Sequence, residues 1–483
     1  MAYKNLQDFL KVLERKNLLH KVPARVDSEL EIAAITDRIS KMHGPALYFE
    51  DVAGSPYPVV TNCFGSIERM QLALGVDNLD DIGLRIEKIS KPPQPEGFLG
   101  KVKSLPILAE LSSYFPKTVK KAPCQEVVEE NPSLDTLPIL KCWPDDGGKF
   151  ITLPLVFSKD PVSGRQNVGM YRMHVYDDRT TGMHWHIHKD GAGHFKKHRE
   201  TGNKIMEVAV ALGGDPATIY SATAPLPKNI DEMLFAGFLR QSPVEMVQCK
   251  TVDLKVPAEA EFILEGYVDV SERRIEGPFG DHTGYYSPAD SYPVFHLKCI
   301  TRRRQPVYPA TVVGIPPMED CYLGKATERI FLPLLKLQFP EIVDINLPFE
   351  GVFHNCAIVS IKKEYPGHAK KIINALWGMG QMMFTKTIIV VDADVDVQNI
   401  SRTAWKIFNS IDPKRDFVFT EGPLDALDHA APLPNYGSKV GIDATKKWSS
   451  EGYPRKWPQE VKMPEEIENL LDRKWQEYGF KKG

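Results

Sequence analysis

The densest group of potentially reactive side chains lies in one short segment, from Glu276 to Tyr286. Two carboxylates, Glu276 and Asp281, stand on either side of a Gly-Pro-Phe-Gly turn. Carboxylates that share a site can separate in pKa, so that one stays ionised while the other carries a proton. The glycines would let the backbone approach a ligand closely. The alternative is an exposed turn, because turns favour Asp and Gly without any further function.

A second candidate residue closes a strand-like run at 165–172. Arg172 ends this run of small and apolar residues. A buried guanidinium cannot lose its charge by titration, so it needs a carboxylate or phosphate partner. The pattern therefore indicates an anion-binding residue, with an exposed arginine at a strand end as the alternative.

Histidines form a third group, since several of the 13 in the chain cluster at His184, His186, His188, His194 and His198. If 181–188 is a strand, the first three side chains share one face. An H-x-H pair can bind a metal ion, although hydrogen-bonded imidazoles on a polar face are the alternative. The lack of nearby cysteines argues against a closed structural zinc site. A metal hydrolase built on these histidines would leave the two acids at 276 and 281 unexplained.

Composition and missing motifs restrict the class of protein. The chain has no G-x-G-x-x-G, no complete P-loop and no G-x-S-x-G, which argues against dinucleotide, NTPase and serine-hydrolase chemistry. A net charge of -3 argues against a protein coated by nucleic acid. No apolar stretch reaches the roughly 18 residues of a membrane span, and the N-terminus lacks a signal-peptide pattern. Seven scattered cysteines without C-x-x-C fit a reducing cytoplasm.

The periodicity of the sequence predicts three parts. Helix and strand signals alternate at both ends of the chain, with strands expected at 46–49, 58–61, 355–362 and 386–391. Between them, short β-rich runs indicate an antiparallel sheet or barrel. A helix at about 231–239 interrupts this region, and capping alone would explain Glu232 in its first turn. A helix at 464–478 has an apolar face that docks either on its own domain or on a second subunit.

Several longer stretches carry a family resemblance. They lie at 44–50, 122–125, 142–146, 165–172, 276–286, 338–344, 367–370 and 437–445. Through them the chain resembles, over residues 3–480, the UbiD family of prenylated-FMN-dependent decarboxylases. The most specific part of the match is the Glu–Asp segment combined with the Asn–Arg strand.

The resemblance implies a multidomain α/β and α+β fold. It gives an N-terminal α/β domain over 1–115 and a central split β-barrel that binds prenylated FMN over 116–325. A C-terminal α/β domain follows over 326–460, and a terminal helix over 461–483 is a possible oligomer contact. The resemblance also implies a homo-oligomer, since members of the family are commonly homodimers or homohexamers.

The resemblance also assigns roles to individual residues. The catalytic group is Arg172, Glu276 and Asp281. The ligands of a divalent metal ion, Mn²⁺ or Mg²⁺, are Asn167, His188 and Glu232, and a K⁺ ion often accompanies this metal in the family. His188 is preferred to His184 and His186 because a basic residue and a Gly-containing loop follow it. The wider cofactor-binding set is Asn167, Val168, Gly169, Met170, Arg172, His188, Thr223, Glu232 and Lys439.

One spacing conflicts with a regular strand. Asn167 and Arg172 are an odd number of residues apart, so a regular strand would direct them to opposite faces. A bulge or kink near Gly169 would bring both side chains to one site.

The family mechanism releases CO₂ from an aromatic acid, with the cofactor as electron sink, and then delivers a proton. Arg172 is expected to hold Glu276 ionised, while Asp281 has a raised pKa and donates the proton. The Asp version of the motif resembles the quinone-biosynthesis branch, which acts on hydroxylated benzoate- or naphthoate-type acids. The runs at 183–190 and 229–237 look more like the menaquinone-type members of that branch than the ubiquinone-type ones.

Two alternatives share the same site. One is a reversible carboxylase of phenolic compounds, and the other is a non-catalytic flavin-binding subunit, which the intact acids and arginine argue against. The partner implied is a flavin prenyltransferase that supplies the cofactor. A cytoplasmic location is expected, with peripheral membrane contact if the substrate is prenylated.

Overall fold

The fold is mixed α/β and built on several sheets, which confirms the predicted fold class. The structure is a computed structural model and describes residues 3–90, 109–186, 190–227 and 230–481. All seven cysteines are free, in agreement with their scattered spacing. Among the helices in these ranges, none is both long and apolar enough to cross a membrane.

The N-terminal part contains a four-stranded mixed sheet. In spatial order its strands are β1 (Leu19–Val26), β2 (Ala46–Val52), β3 (Val59–Thr61) and β18 (Tyr308–Pro309). The strands expected at 46–49 and 58–61 are therefore confirmed. The accompanying helices are α1 (Leu6–Arg15), α2 (Glu31–Lys41), α3 (Ile67–Leu74) and α4 (Asp80–Ser90). Helix α1 forms because apolar residues recur every three or four positions, and the stripe of Leu6, Phe9, Leu10 and Leu13 is buried in the core.

The central part is a seven-stranded antiparallel sheet. Its path runs β10 (Thr180–Gly182), β17 (Asp290–Arg302), β14 (Phe262–Glu276), β11 (Ile205–Leu212), β7 (Pro154–Lys159) and β8 (Gln166–Met170), with β5 (Val127–Glu129) beside β17. The two end strands of this path do not pair with each other in the part of the chain that the structure describes. The predicted antiparallel sheet is confirmed, and within those residues it does not close into a barrel.

Short strands and helices surround the central sheet. The remaining strands are β4 (Lys117–Val119), β6 (Phe150–Ile151), β9 (Met173–His174), β12 (Glu245–Gln248), β13 (Lys255–Pro257), β15 (Phe279–Gly280) and β16 (Tyr286–Ser287). The helices are α5 (Asp190–Glu200), α6 (Pro216–Ser221) and α7 (Glu232–Arg240). Helix α7 confirms the helix predicted at 231–239. Asp231 caps it by accepting hydrogen bonds from two backbone amides of its first turn.

The C-terminal part is a five-stranded mixed sheet. In spatial order the strands are β19 (Ile342–Asn346), β20 (Cys356–Ile361), β21 (Thr387–Asp392), β23 (Tyr436–Asp443) and β22 (Phe417–Pro423). The helices are α8 (Glu319–Gln338), α9 (His368–Trp377), α10 (Ile400–Ser410), α11 (Pro413–Asp416) and α12 (Glu465–Lys474). No residue of the terminal helix α12 is buried; on its apolar face Ile467 is exposed, and Leu470 and Leu471 are half-buried.

The predicted domain boundaries stay predictions, and one pairing crosses them. Strand β18 follows the whole central sheet in sequence but pairs in parallel with β3 of the N-terminal sheet. Glu319, at the start of α8, reinforces this connection. Its carboxylate accepts hydrogen bonds from the backbone N–H of Phe64 at 2.7 Å and from the hydroxyl of Thr311 at 2.8 Å.

We expect Glu319→Ala to lower the free energy of unfolding by about 1–3 kcal/mol, because it leaves the buried N–H of Phe64 without an acceptor. The Glu319 side chain is 2% exposed, so water cannot replace it easily. Thermal and urea unfolding measure the change. Glu68→Ala, on the exposed side of α3, is the control and should match the wild type. Equal midpoints for the two variants would contradict this role of Glu319.

Candidate active site

Arg172 lies between two buried acids. Its Nε donates to Oε1 of Glu276 at 3.0 Å, and its Nη1 contacts Oδ2 of Asp281. The third guanidinium nitrogen, Nη2, donates to the hydroxyl of Ser287 at 3.0 Å. The guanidinium also stacks over the ring of Phe279, 4.6 Å from its centroid. The two segments singled out by sequence therefore meet in one site, and every arm of the arginine is fixed.

A hairpin holds the second acid in place. Strands β15 and β16 pair Phe279 with Ser287, so the residues between them form its tip. The backbone N–H of Asp281 donates to the carbonyl of Tyr285 at 3.0 Å, and that of Gly284 donates to the carbonyl of Asp281 at 2.9 Å. Asp281 thus has little freedom to move away from the arginine.

Both carboxylates are ionised in this arrangement. Burial would raise the pKa of Glu276, but hydrogen bonds and charge from His184 and Arg172 outweigh it and lower that pKa. This agrees with the expected pairing of Arg172 and Glu276. Asp281 is buried as well, yet Arg172 and His282 hold its pKa well below the usual range. The prediction of a raised pKa for Asp281 is therefore wrong for this state, since the same arginine serves both acids.

His184 belongs to this acidic group. Its Nδ1 contacts Oε2 of Glu276, and its Nε2 lies 2.5 Å from Nε2 of His186. Both ring nitrogens are in use, which leaves His184 unsuited to bind a metal ion as well. Burial and the charge of Arg172 lower its pKa. The strand expected at 181–188 ends at Gly182, so the predicted common face of three histidines does not form. His188 lies outside the described residues.

The glycines of the acidic segment serve turns and packing. Gly277 and Gly284 have φ angles of +92° and +81°, in the left-handed region that favours glycine. Gly280 has Trp143 against it, and a Cβ there would lie 2.1 Å from Cδ1 of that ring. At Gly280, therefore, the space expected to admit a ligand is filled by the indole of Trp143.

The C-terminal part completes the site from the other side. His282, next to Asp281, has its Nε2 at 2.7 Å from Nε2 of His354. His354 lies just before β20 in the C-terminal sheet. Tyr285, at the hairpin tip, packs on His429 with ring centroids 4.1 Å apart. Sequence reasoning gave no role to His282, His354 or His429, and only the position of His282 beside Asp281 offered a signal.

A second group lies around the start of α7, where a cavity of about 220 Å³ is lined by Asn167, Val168 and Glu232 among others. With its amide nitrogen towards Glu232, Asn167 donates to Oε1 at 2.9 Å. The N–H of Val168 donates to Oε2 at 3.3 Å. Burial raises the pKa of Glu232 to about 7. The structure thus brings Asn167 and Glu232 together, as predicted.

The donor set at this cavity fits a hard divalent cation. Amide and carboxylate oxygens, with an imidazole, suit Mn²⁺ or Mg²⁺. In the contacts above, Glu232 accepts hydrogen bonds only from neutral amides. A bound cation would therefore supply the positive charge that compensates the buried carboxylate. Among the described residues, no three His, Cys, Asp or Glu side chains are grouped for a metal ion.

The conflict between Asn167 and Arg172 is resolved by a break in the strand. Strand β8 ends at Met170, and the chain resumes as β9 only at Met173. Tyr171 folds back over Gly169, where a Cβ would lie 2.3 Å from the tyrosine hydroxyl. The expected irregularity is therefore present, two residues beyond the predicted position.

Two predicted cofactor residues lie in different surroundings. Thr223 follows α6 beside strand β8, and the N–H of Met170 donates to the neighbouring carbonyl of Ala222 at 3.1 Å. Lys439 lies in β23 of the C-terminal sheet, where its ammonium contacts the carbonyl of Met383 and the ring of Trp377. Burial lowers the pKa of Lys439 to about 8. Its role as a cofactor contact stays a prediction.

Comparison with known proteins identifies the family. The models of the 3-octaprenyl-4-hydroxybenzoate carboxy-lyase match the chain in three parts: the N-terminal domain at 10–86, the Rift-related domain at 117–316 and the C-terminal domain at 321–444. The chain belongs to the UbiD family of carboxy-lyases. Similar proteins include an uncharacterised protein of Archaeoglobus fulgidus, 54% identical over 478 residues and 99% of both chains. An uncharacterised Aquifex aeolicus protein is 49% identical over 482 residues and 99% of both chains.

Solved UbiD-class structures share the fold. Vanillic acid decarboxylase of Sedimentibacter hydroxybenzoicus, in closed form, is 30% identical with a TM-score of 0.85 and full coverage of both chains, 100% each. HmfF of Pelotomaculum thermopropionicum in complex with FMN is 29% identical, TM-score 0.81, covering 97% of this chain and 99% of that one. An evolved dimeric HmfF in complex with prFMN is 28% identical, TM-score 0.80, covering 99% and 100%.

We expect Gly280→Ala to destabilise the protein by about 1–3 kcal/mol, because its Cβ overlaps the ring of Trp143. Near-UV circular dichroism should report the displaced indole, and thermal unfolding the loss of stability. Gly193→Ala is the matched control. This glycine is in α5, and no atom of the described residues lies within 4 Å of its Cβ position, so alanine there should be neutral or stabilising by up to about 1 kcal/mol. An unchanged spectrum for Gly280→Ala would contradict the contact.

Proposed function

We propose that this chain catalyses the prenylated-FMN-dependent, non-oxidative decarboxylation of an aromatic carboxylic acid. The observation that carries the proposal is the buried Arg172, fixed between Glu276 and Asp281. Such a group binds a carboxylate and places a proton-transferring acid beside it. Membership of the UbiD family supports the reaction class.

The chain's own residues would orient the acid and control the proton. Arg172 attracts the substrate carboxylate, and Glu276 keeps the guanidinium from turning away. Asp281, which is ionised at rest, would take up a proton during turnover and pass it to the carbon from which CO₂ has left. When bound, prenylated FMN would supply the electron sink for loss of CO₂. The low exposure of both acids, 1% for Glu276 and 5% for Asp281, keeps water out of the site.

The cofactor's phosphate would be held through the metal. Asn167, His188 and Glu232 are the proposed ligands of Mn²⁺ or Mg²⁺, with K⁺ as a further ion. Val168, Gly169, Met170 and Thr223 would line the cofactor beside β8, and Lys439 is a further proposed contact. Asn167 and Glu232 lie at the same cavity, which supports this assignment.

The finer assignments extend the proposal. The substrate would be a hydroxylated benzoate- or naphthoate-type quinone precursor, as the Asp281 version of the motif suggests. A reversible carboxylase of phenolic compounds is the second candidate. A flavin prenyltransferase would supply the cofactor in the cytoplasm. The exposed face of α12 supports assembly as a homodimer or homohexamer.

We expect Asp281→Asn to reduce kcat on the order of 10²- to 10⁴-fold, because an amide cannot deliver the proton. The protein is purified after co-expression with a flavin prenyltransferase, and a panel of aromatic acids is assayed for CO₂ release. Mass and absorbance spectra should show bound prenylated FMN in wild type and variant alike. Asp290→Asn, at the exposed first residue of β17, is the control and should keep full activity.

Two results would count against the proposal. Unchanged turnover in Asp281→Asn would remove this acid from proton delivery. A wild-type protein without flavin, even with Mn²⁺ supplied, would favour a non-catalytic role. Exchange of labelled bicarbonate into the product separates the carboxylase from the decarboxylase.

We expect Glu232→Gln to lose bound Mn²⁺ and most of the cofactor, because it removes the only charged ligand among the three proposed. Metal analysis and flavin absorbance measure both losses, and EDTA treatment of the wild type should reproduce them. Glu245→Gln, at an exposed position of β12, is the control and should retain metal and flavin. Full metal occupancy in Glu232→Gln would remove this residue from the proposed site.

A further inference from the structure

Two imidazoles extend the Arg172–Asp281 pair towards the C-terminal part. Nδ1 of His282 lies 2.9 Å from Oδ1 of Asp281, and its Nε2 lies 2.7 Å from Nε2 of His354. An ionised carboxylate only accepts hydrogen bonds, so Nδ1 of His282 carries a hydrogen. The two facing Nε2 atoms share a single hydrogen, which one ring donates and the other accepts.

The surroundings decide which ring carries the charge. Burial opposes charge on His282, but the hydrogen bond and charge of Asp281 outweigh it and raise its pKa above the ordinary value. Burial and the positive charge of His282 lower the pKa of His354. These surroundings therefore favour the cation at His282 and the neutral acceptor at His354. The charged and titratable groups that face this pair are Arg172, Asp281, Asp320, Asp425 and Asp428.

The loop that carries His354 is held under strain. Val352 and Phe353 have φ angles of +44° and +51°, in the left-handed region that bulky side chains avoid. Phe353 stacks on His282 with ring centroids 5.3 Å apart. It also packs on Gly324, where a Cβ would lie 2.8 Å from its ring. These two contacts of Phe353 hold Nε2 of His354 against His282, although among the described residues the buried Nδ1 of His354 has no hydrogen-bond partner.

The proposed reaction needs a stored proton. A carboxylate anion that loses CO₂ takes up one proton to give the neutral product, with no change in oxidation state. Asp281 has none to give while Arg172 and His282 both donate to it. The nearest charged donor on the far side of Asp281 from Arg172 is His282.

We propose that His282 stores the proton that Asp281 delivers, and that His354 positions His282 for this task. The inference rests on the proposed decarboxylase function. The hydrogen on Nδ1 of His282 passes to the carboxylate of Asp281, and from Asp281 to the carbon that has lost CO₂. His282 is then neutral, and a proton from water restores it between turnovers. His354 accepts from Nε2 throughout and keeps Nδ1 directed at Asp281.

The location of the proton is tested first in cofactor-free protein. Long-range ¹H–¹⁵N spectra of the histidine side chains should show His282 doubly protonated and His354 neutral at pH 7. Asp281→Asn should move the titration of His282 to lower pH, because it removes the carboxylate that favours the cation. His296→Gln, which removes a distant histidine paired with Glu272, should leave both signals unchanged. A neutral His282 in the wild type would overturn the proposal.

The holoenzyme tests the function of the stored proton. His282→Gln should lower kcat on the order of 10²-fold with KM unchanged and with normal flavin content and unfolding temperature. Because His282 acts when protonated, kcat falls as pH rises through its pKa. His354→Phe removes the acceptor, so the fall of kcat with rising pH should begin at lower pH. His354→Gln retains an acceptor, so its kcat should fall over the same pH range as that of the wild type.

Separate outcomes identify which proposal fails. Wild-type holoenzyme that decarboxylates no aromatic acid would refute the proposed function, while the spectra of the cofactor-free protein still locate the proton. If the wild type is active and its kcat falls over the same pH range as that of His354→Phe, the role of His354 would be overturned. An unchanged kcat in His282→Gln would overturn the proton store.

Discussion

The structure around the site depends on one positive charge, that of Arg172, which two buried acids share. Arg172 lies between Glu276 and Asp281, and each of the three charges would be costly to bury without the others. The central sheet provides the arginine from the broken end of β8 and one acid from the end of β14, while the hairpin β15–β16 provides the other. The long pairing of β14 with β17 fixes where that hairpin begins. Much of the local structure is thus explained by the need to keep one guanidinium saturated.

The charge count around this group also explains why the C-terminal part is needed. Two carboxylates against one arginine leave a negative charge, which the hydrogen bond from His282 offsets. His282 in turn requires a neutral acceptor, and the loop before β20 provides it in a conformation that bulky side chains avoid. The central and C-terminal parts are therefore linked through ionisation as well as through packing.

Sequence predicted the members of the site better than their electrostatics. The meeting of Arg172 with the two acids followed from the motifs, and the buried C-terminal strands followed from their apolar runs. The sign of the pKa shift at Asp281 did not, because it depends on the arginine that both acids share and on His282 as a second donor, and only the fold fixes that geometry. The approach of His354 joins positions far apart in the chain, and local patterns carry no such information. The β-rich run at 181–188 suggested a longer strand, but the strand ends at Gly182 and His184 contacts Glu276.

The pairing of β18 with β3 has a consequence for how relatives of this protein exchange segments. Tyr308 donates its N–H to the carbonyl of Pro58, and Ala310 to that of Val60, both at 2.9 Å. The edge of the first sheet is thus made by chain that is synthesised only after the whole central sheet. A gene crossover at any point between β3 and β18 would give the first sheet three strands from one parent protein and its edge strand from the other. Recombination within the family should therefore succeed more often when the segment around Tyr308–Pro309 is inherited together with the N-terminal sheet.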